Sequence, residues 1–284
     1  MPELPEVEVL VRRLRPLLRG RRIRAVEVRR ARVLRPTPAR QFRQRLLGAR
    51  FTGLTRRGKY LVFDLRGPGR PAPLVMLGHL GMTGRMYVLP ARKPLPKHAA
   101  VVLDLGAERF VFEDTRYFGR LTLETKSIDR LGPEPLEDTF TLEGFQGALR
   151  KSGQAIKVKL LDQSLVAGVG NIHASEALFR ARLAPGTPAR RLKPKNIKEL
   201  WRAIRAVLRD AIARGSTLPL EFSSDGARDG LFYFGRAAAA ADFYTERLRV
   251  YDRRGKPCYR CGTAIQQEVH AGRSTYYCPR CQRG

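Results

Sequence analysis

Between Glu6 and Leu18, apolar residues fall at Val7, Leu10, Val11, Leu14, Leu17 and Leu18. That spacing predicts a helix with one buried face, and Gly20 offers its C-terminal stop. Glu3, Glu6 and Glu8 with Pro5 suit its first turn, where carboxylates complement the helix dipole and proline loses no hydrogen bond. The period then shortens to two. Alternating segments at Ile23–Arg30, Phe51–Thr55, Tyr60–Leu65, Leu74–Leu77, Arg85–Leu89, Ala99–Leu105, Arg109–Glu113 and Gly119–Glu124 predict eight strands. Gly67-Pro68-Gly69 and Gly106-Ala107 serve as turns between them. Strands at this spacing predict a β-sandwich or barrel-like domain. Gly132-Pro133-Glu134-Pro135 reads as a stiff linker. Beyond it the period is helical again, at Leu142–Arg150, Ala155–Leu161, His173–Ala181 and Lys195–Arg214. In the last of these, Leu200, Ile204, Val207, Leu208, Ala211 and Ile212 form a stripe suited to core packing.

At 284 residues the chain is long enough for two domains with separate cores, and its 43% hydrophobic content is that of a globular protein. Lys and Arg number 55 against 26 acids, a net charge of +29 that points to a polyanionic partner, most simply nucleic acid. Arginine accounts for 44 of the 55, a bias that suits bidentate phosphate and guanine contacts and equally follows from a skewed genome composition. No apolar run reaches membrane-spanning length and no signal peptide is evident, so a soluble intracellular protein is expected.

Two stretches carry chemistry on their own residues. Removal of Met1 leaves Pro2 as a free secondary amine with a pKa of about 8, an effective nucleophile near neutral pH. The four cysteines form Cys258-x2-Cys261, sixteen residues, then Cys278-x2-Cys281, the spacing of a tetrahedral zinc site in two turns of a hairpin. Four sulfur ligands leave no position for water, so one structural Zn2+ is expected. Two redox pairs are the competing reading, disfavoured by the terminal position and basic surroundings. Gly168-Val-Gly170-Asn171 sits before a predicted helix, where exposed N–H groups favour an anion.

The opening Pro2-Glu3-Leu4-Pro5-Glu6-Val7-Glu8 closely resembles the start of the formamidopyrimidine-DNA glycosylases, a base-excision repair family. Further similarity lies in Lys59, in His79-Leu80-Gly81-Met82, in Asp114-Thr115-Arg116-Tyr117-Phe118-Gly119, in the Gly168–Glu176 run and in the cysteine module. The resemblance implies an α+β multidomain chain. It would comprise an N-terminal catalytic β-sandwich with flanking helices (1–132), a linker (133–139), a helix–two-turns–helix DNA-binding domain with a lesion-capping loop (140–250), and a zinc-finger β-hairpin (251–284). It further implies roles: Pro2 as nucleophile, Glu3 as general acid and base, and Lys59 assisting at the lesion. Met82 and Phe118 would be wedges, Arg116 would meet the orphaned base, and Lys157, Asn171 and Arg273 would contact phosphates. Thr115 and Tyr117 depart from the family's proline and basic residue. His173 stands where the family commonly has tyrosine, so a phosphate contact there would gain pH dependence. His79 reads as structural.

Such a protein would act as a monomer on damaged double-stranded DNA, excising oxidised purines and cleaving the strand, with no membrane partner. The alternatives are an endonuclease VIII-like enzyme for oxidised pyrimidines, against which Leu4 argues, and a non-catalytic zinc-containing DNA binder, which would have no use for Pro2 beside Glu3. Between Gly226 and Leu248 the chain looks about a dozen residues longer than is usual for the family. The extra material, including Phe232-Tyr233-Phe234 and Ala237–Ala241, either changes the lesion-capping loop or extends a short helix.

Overall fold

The computed structural model describes residues 2–68, 72–214, 220–222, 229–231 and 248–283. Most of the long stretch before the cysteine module, with the aromatic and alanine runs, lies outside them. The chain divides into two compact units. One comprises residues 1–2, 6–129 and 218–235, the other 3–5, 130–217 and 236–284.

In the first unit, all eight strands predicted from alternation are present: β1 (Ala25–Val28), β2 (Arg50–Arg57), β3 (Tyr60–Arg66), β4 (Pro73–His79), β5 (Gly84–Pro90), β6 (Ala99–Asp104), β7 (Glu108–Asp114) and β8 (Arg120–Thr122). They form two antiparallel four-stranded sheets, ordered β1-β6-β7-β5 and β2-β3-β4-β8. The sheets stack face to face. Phe63 of one meets Phe110 of the other edge-on at 5.6 Å, and alternate residues of both sheets enter one core. Helix α1 (Leu4–Leu18) adds Val7, Leu10, Val11, Leu14 and Leu18 to that core, the face its spacing predicts. Its polar side is anchored by Glu8, which accepts from Arg12 and Arg56 at 2.8 and 2.9 Å. Burial raises the Glu8 carboxyl's pKa, but the two arginines outweigh it and hold the group below its ordinary range. A helix the periodicity did not reveal, α2 (Ala39–Leu46), buries only Phe42 and Leu46 among basic residues, and a short α3 (Lys126–Asp129) ends the unit.

The second unit is helical: α4 (Leu142–Arg150), α5 (Ile156–Lys159), α6 (Asn171–Arg180) and α7 (Pro194–Ala213). The α7 stripe supplies Leu200, Ile204 and Leu208 to the unit's core beside Leu4, Phe140 and Phe145. Thr141 caps α4 by accepting from the Gly144 N–H at 3.1 Å, which fixes where the chain turns from extended to helical. Strands β11 (Gln266–His270) and β12 (Arg273–Tyr277) form the terminal hairpin; β9 (Leu220–Phe222) and β10 (Asp229–Leu231), a short antiparallel pair earlier in the chain, fall among the residues of the first unit. Among the described residues no helix is long and apolar enough to cross a membrane.

Candidate active site and nucleic-acid interface

In the helical unit, the groups at the N-terminus of α6 hold an anion, and it is Glu3. Its Oε2 accepts from the Gly170 N–H at 2.9 Å and the His173 N–H at 3.2 Å, its Oε1 from the Ile172 N–H at 2.8 Å. His173 Nδ1 lies a further 2.6 Å from Oε2. The glycines have geometric reasons to be glycines. A Cβ on Gly170 would fall 2.3 Å from Glu3 Cδ, and one on Gly168 would fall 2.6 Å from Leu4 Cβ, at a φ of +85°. The Leu4 N–H donates to Gly168 O at 3.0 Å, completing the clasp. Two sequence expectations change here. Glu3 serves the dipole of α6 instead of that of α1. The glycine turn does meet an anion, as its N–H groups suggest, and that anion is a carboxylate of its own chain. His173, expected at a phosphate, is 3% exposed with its ring against Glu3.

Lys157 and Asn171 come together as one assembly. The Lys157 ammonium is fully buried and donates to Asn171 O at 2.9 Å, Asn171 Oδ1 at 2.8 Å and Ser175 Oγ at 2.8 Å. Asn171 Nδ2 in turn donates to Ser274 O of β12 at 2.8 Å. Burial drives the Lys157 pKa down to about 7, against the attraction of Glu3 and with the repulsion of Arg273. In this state Lys157 acts through Asn171, holding its side chain in one orientation. Lys157→Ala would remove the donor to Asn171 Oδ1 and to the Ser175 hydroxyl, while Asn171 O would keep the Ser175 hydroxyl as donor at 2.9 Å. It is expected to destabilise the protein by about 2–4 kcal/mol in denaturant titration. Sequence reasoning passed over Glu176, whose buried carboxylate accepts from the N–H groups of Arg249, Val250 and Tyr251, all at 2.9 Å. It anchors the chain entering the cysteine hairpin, and no local pattern announces a contact more than seventy residues away.

The four cysteine sulfurs lie within 4.8 Å of one another. Contacts of 4.0 Å (Cys258 to Cys281) and 3.5 Å (Cys261 to Cys278) join one pair to the other. A tetrahedron with zinc–sulfur bonds of about 2.3 Å sets its sulfurs roughly 3.8 Å apart, so the site fits one zinc ion. N–H groups of Arg260 and Cys281 point at the sulfurs of Cys258 and Cys278, both at 3.4 Å, as second-sphere support. The ion would be structural, fixing β11 and β12. Chelation is expected to release one zinc per chain and to abolish hydrogen-exchange protection across that hairpin, since such sites contribute on the order of 10–16 kcal/mol to folding. Protection that survives metal loss would contradict this. Arg273 stands exposed where the hairpin turns through Ala271 and Gly272, both at positive φ.

In the strand unit, Met82, Arg116 and Phe118 cluster. Arg116 Nη1 is 3.5 Å from Met82 Sδ, and its guanidinium lies 4.8 Å from the centre of the Phe118 ring. Met82 and Phe118 are 42% and 45% exposed, among the few large apolar side chains so placed. Asp114, fully buried, shapes the loop. It accepts from the N–H groups of Arg116 and Gly119 and from the Thr83 hydroxyl at 3.0, 2.7 and 2.5 Å. Gly81 admits the close approach of the two loops, because a Cβ there would lie 2.6 Å from Gly119 N. Tyr117, where a basic residue was expected, has its hydroxyl 3.3 Å from Arg30 Nε, so a guanidinium is supplied from elsewhere.

Lys59 lies in the tight turn after β2, beside Gly58 at φ +57°, and is buried, unlike a solvated edge residue. His79 is structural, as expected: its Nδ1 accepts from the Gly81 N–H at 3.1 Å, steadying the Met82 turn. Burial, then Lys59 and Arg120, lower its pKa to about 4. Between that value and 6.5 the unfolded chain binds a proton that the folded chain does not, so stability is full above pH 6.5 and falls toward pH 4. The loss attributable to His79 is expected to approach roughly 3 kcal/mol. Guanidinium unfolding at several pH values would show it as the difference between the protein and His79→Gln. Pro2 is buried at the start of the described chain.

An exposed cluster of apolar and arginine side chains, a net charge of +29 and a closed four-sulfur site define a zinc-containing nucleic-acid-binding protein. Comparison with known proteins is more specific. Residues 1–121 match the formamidopyrimidine-DNA glycosylase N-terminal domain, 131–221 the formamidopyrimidine-DNA glycosylase H2TH domain, and 255–284 a zinc finger found in FPG and IleRS. The chain belongs to the formamidopyrimidine-DNA glycosylase family. Curated relatives of that name include one from Carboxydothermus hydrogenoformans, 39% identical with all of both chains covered, and one from Thermus thermophilus, 42% identical over 99% of this chain and 98% of the relative. Similar solved structures include a Lactococcus lactis FPG mutant with a Fapy-dG containing DNA (TM-score 0.86, 33% identity) and MutM with carbocyclic 8-oxo-G containing DNA (TM-score 0.85, 33% identity), both covering the full chains.

Proposed function

We infer that this chain is a DNA glycosylase and AP lyase that excises oxidised purines, 8-oxoguanine and formamidopyrimidines, from duplex DNA. The observation that carries the reading is Glu3: a carboxylate held by three backbone N–H donors and the His173 ring directly follows a proline that becomes a free amine when Met1 is removed. The neutral Pro2 nitrogen attacks the sugar C1′, the glycosidic bond breaks, and the damaged base leaves, the proton it gains balanced by the one the nitrogen gives up. Glu3 protonates the sugar ring oxygen as the ring opens to an iminium. The cationic nitrogen then acts as the electron sink for β-elimination and δ-elimination, in which Glu3, now a carboxylate, takes up the protons lost from the sugar carbons as base. Lys59 assists at the lesion. Met82 and Phe118 fill the space left by the everted nucleotide and Arg116 meets the orphaned base, the arrangement that offsets unstacking. Asn171, oriented by Lys157, and Arg273 contact phosphates. The enzyme would work as a monomer on nucleoid DNA in the cytoplasm.

Single-turnover assays on duplexes carrying 8-oxoguanine, a formamidopyrimidine or an oxidised pyrimidine test the reading. The two purine lesions should be excised faster, leaving phosphates on both sides of the gap. Preference for the pyrimidine would favour the endonuclease VIII-like alternative, and binding without excision of any of the three a purely DNA-binding role.

A further inference from the structure

Three of the groups on the Glu3 carboxylate are backbone N–H donors, which give a hydrogen and never take one. The fourth, His173 Nδ1, does either. Its contact with Oε2 is 2.6 Å, with the two side chains only 3% and 2% exposed, so this hydrogen bond is not shared with bulk water. Taking Glu3 as the acid and base of the proposed reaction, we propose that His173 is a positioning residue whose imidazole shares a proton with Glu3, so that the carboxyl keeps its place in both forms and excision titrates as a carboxyl–imidazole pair.

The proton balance follows from the atoms. With one extra proton the pair is either a carboxylic acid accepting at Oε2 from the Nδ1–H of a neutral imidazole or a carboxylate beside imidazolium. The first form delivers its carboxyl proton to the sugar ring oxygen and remains as a carboxylate accepting from the same Nδ1–H. One proton leaves, one stays between Nδ1 and Oε2, and no backbone hydrogen bond is broken.

Around the pair, Lys157 interacts with Glu3 and Glu176, and Tyr251 also feels Glu3. On its other side His173 borders a cavity of about 490 Å³ that is also lined by Glu176, Arg180, Asp210, Arg214, Arg249 and Arg260. Burial raises the Tyr251 pKa, away from neutrality, and the Glu176 carboxylate is taken by three backbone N–H groups. Asp210 is paired with Arg180 at 3.0 Å. Lys157, at about 7, and the Pro2 amine of the processed chain, at about 8, are therefore the groups with which the pair must not be confused; deprotonation of Pro2 raises the rate with pH and so does not produce an alkaline fall.

The test is the pH profile of single-turnover 8-oxoguanine excision by the methionine-processed protein, by His173→Gln, whose amide still donates but stores no proton, and by His173→Tyr as a second replacement. Both variants should lose about tenfold or more in rate near pH 7.5, and their alkaline fall should move at least about one pH unit lower. Affinity for a duplex carrying a tetrahydrofuran abasic analogue should change less than about threefold, as binding does not use the shared proton. Profiles superimposable on the parent in either folded variant would overturn the proposal and leave Lys157 as the titrating group. Glu3→Gln separates the two levels. Excision at the parent rate in that variant would remove the role of Glu3 itself, whereas an inactive Glu3→Gln with unshifted His173 profiles would remove only the role of His173.

Discussion

A chain that keeps Met1 is expected to excise no 8-oxoguanine and to form no covalent adduct with DNA. The amine that Pro2 offers after processing, with a pKa of about 8, becomes a tertiary amide whose lone pair is delocalised into the carbonyl. The loss should be at least about 10³-fold in single-turnover rate, the scale seen when a covalent nucleophile is removed. Folding and duplex affinity should stay near those of the processed protein. The comparison needs only two preparations of one sequence, one cleaved quantitatively by methionine aminopeptidase and one blocked from cleavage by an N-terminal extension.

Glu3→Gln is the second large effect, and it has two sources. Chemically, an amide neither protonates a ring oxygen nor takes a proton back, a loss of about 10²–10⁴-fold in rate. Structurally, the carboxylate accepts on both oxygens: Oε1 faces the Ile172 N–H, and Oε2 faces the N–H groups of Gly170 and His173 and the His173 ring. An amide has one acceptor oxygen, so its NH2 group must oppose at least one buried donor, at a cost of about 1–3 kcal/mol. The variant should therefore show both a lower melting temperature and a collapse of excision, with abasic-duplex binding retained. Loss of stability with excision unchanged would mean that Glu3 only clasps the helix.

The strand unit was legible where a period of two survives, most clearly in β3, whose burial alternates from Tyr60 to Leu65; β6, buried at every position from Ala99 to Leu103, was marked by its apolar run between turns instead. Phe63 of β3 and Phe110 of β7 both face the core. Helix α2 was not legible, because Phe42 and Leu46 are its only buried residues and the rest is arginine, glutamine and one alanine. The cysteine site was readable because four ligands at fixed spacing carry their geometry with them. The clasp on Glu3 was not. Gly168 and Gly170 read as an anion-binding turn, and Glu3 as a helix-dipole carboxylate. What joins them is a contact spanning 167 residues, which neither local pattern contains. Lys157 illustrates the same limit: within Ile156–Lys159 it looks like one of two solvated lysines, yet Lys157 is fully buried while Lys159 reaches Asp162.

The most direct measurement is borohydride trapping. Methionine-processed protein is incubated with a duplex holding 8-oxoguanine opposite cytosine, reduced, digested and mapped by mass spectrometry. The account predicts one DNA adduct, on the nitrogen of Pro2, in high yield and absent from the Met1-retaining chain. An adduct on a lysine side chain, or none from protein that demonstrably binds the duplex and is offered a bare abasic site as well, would contradict it.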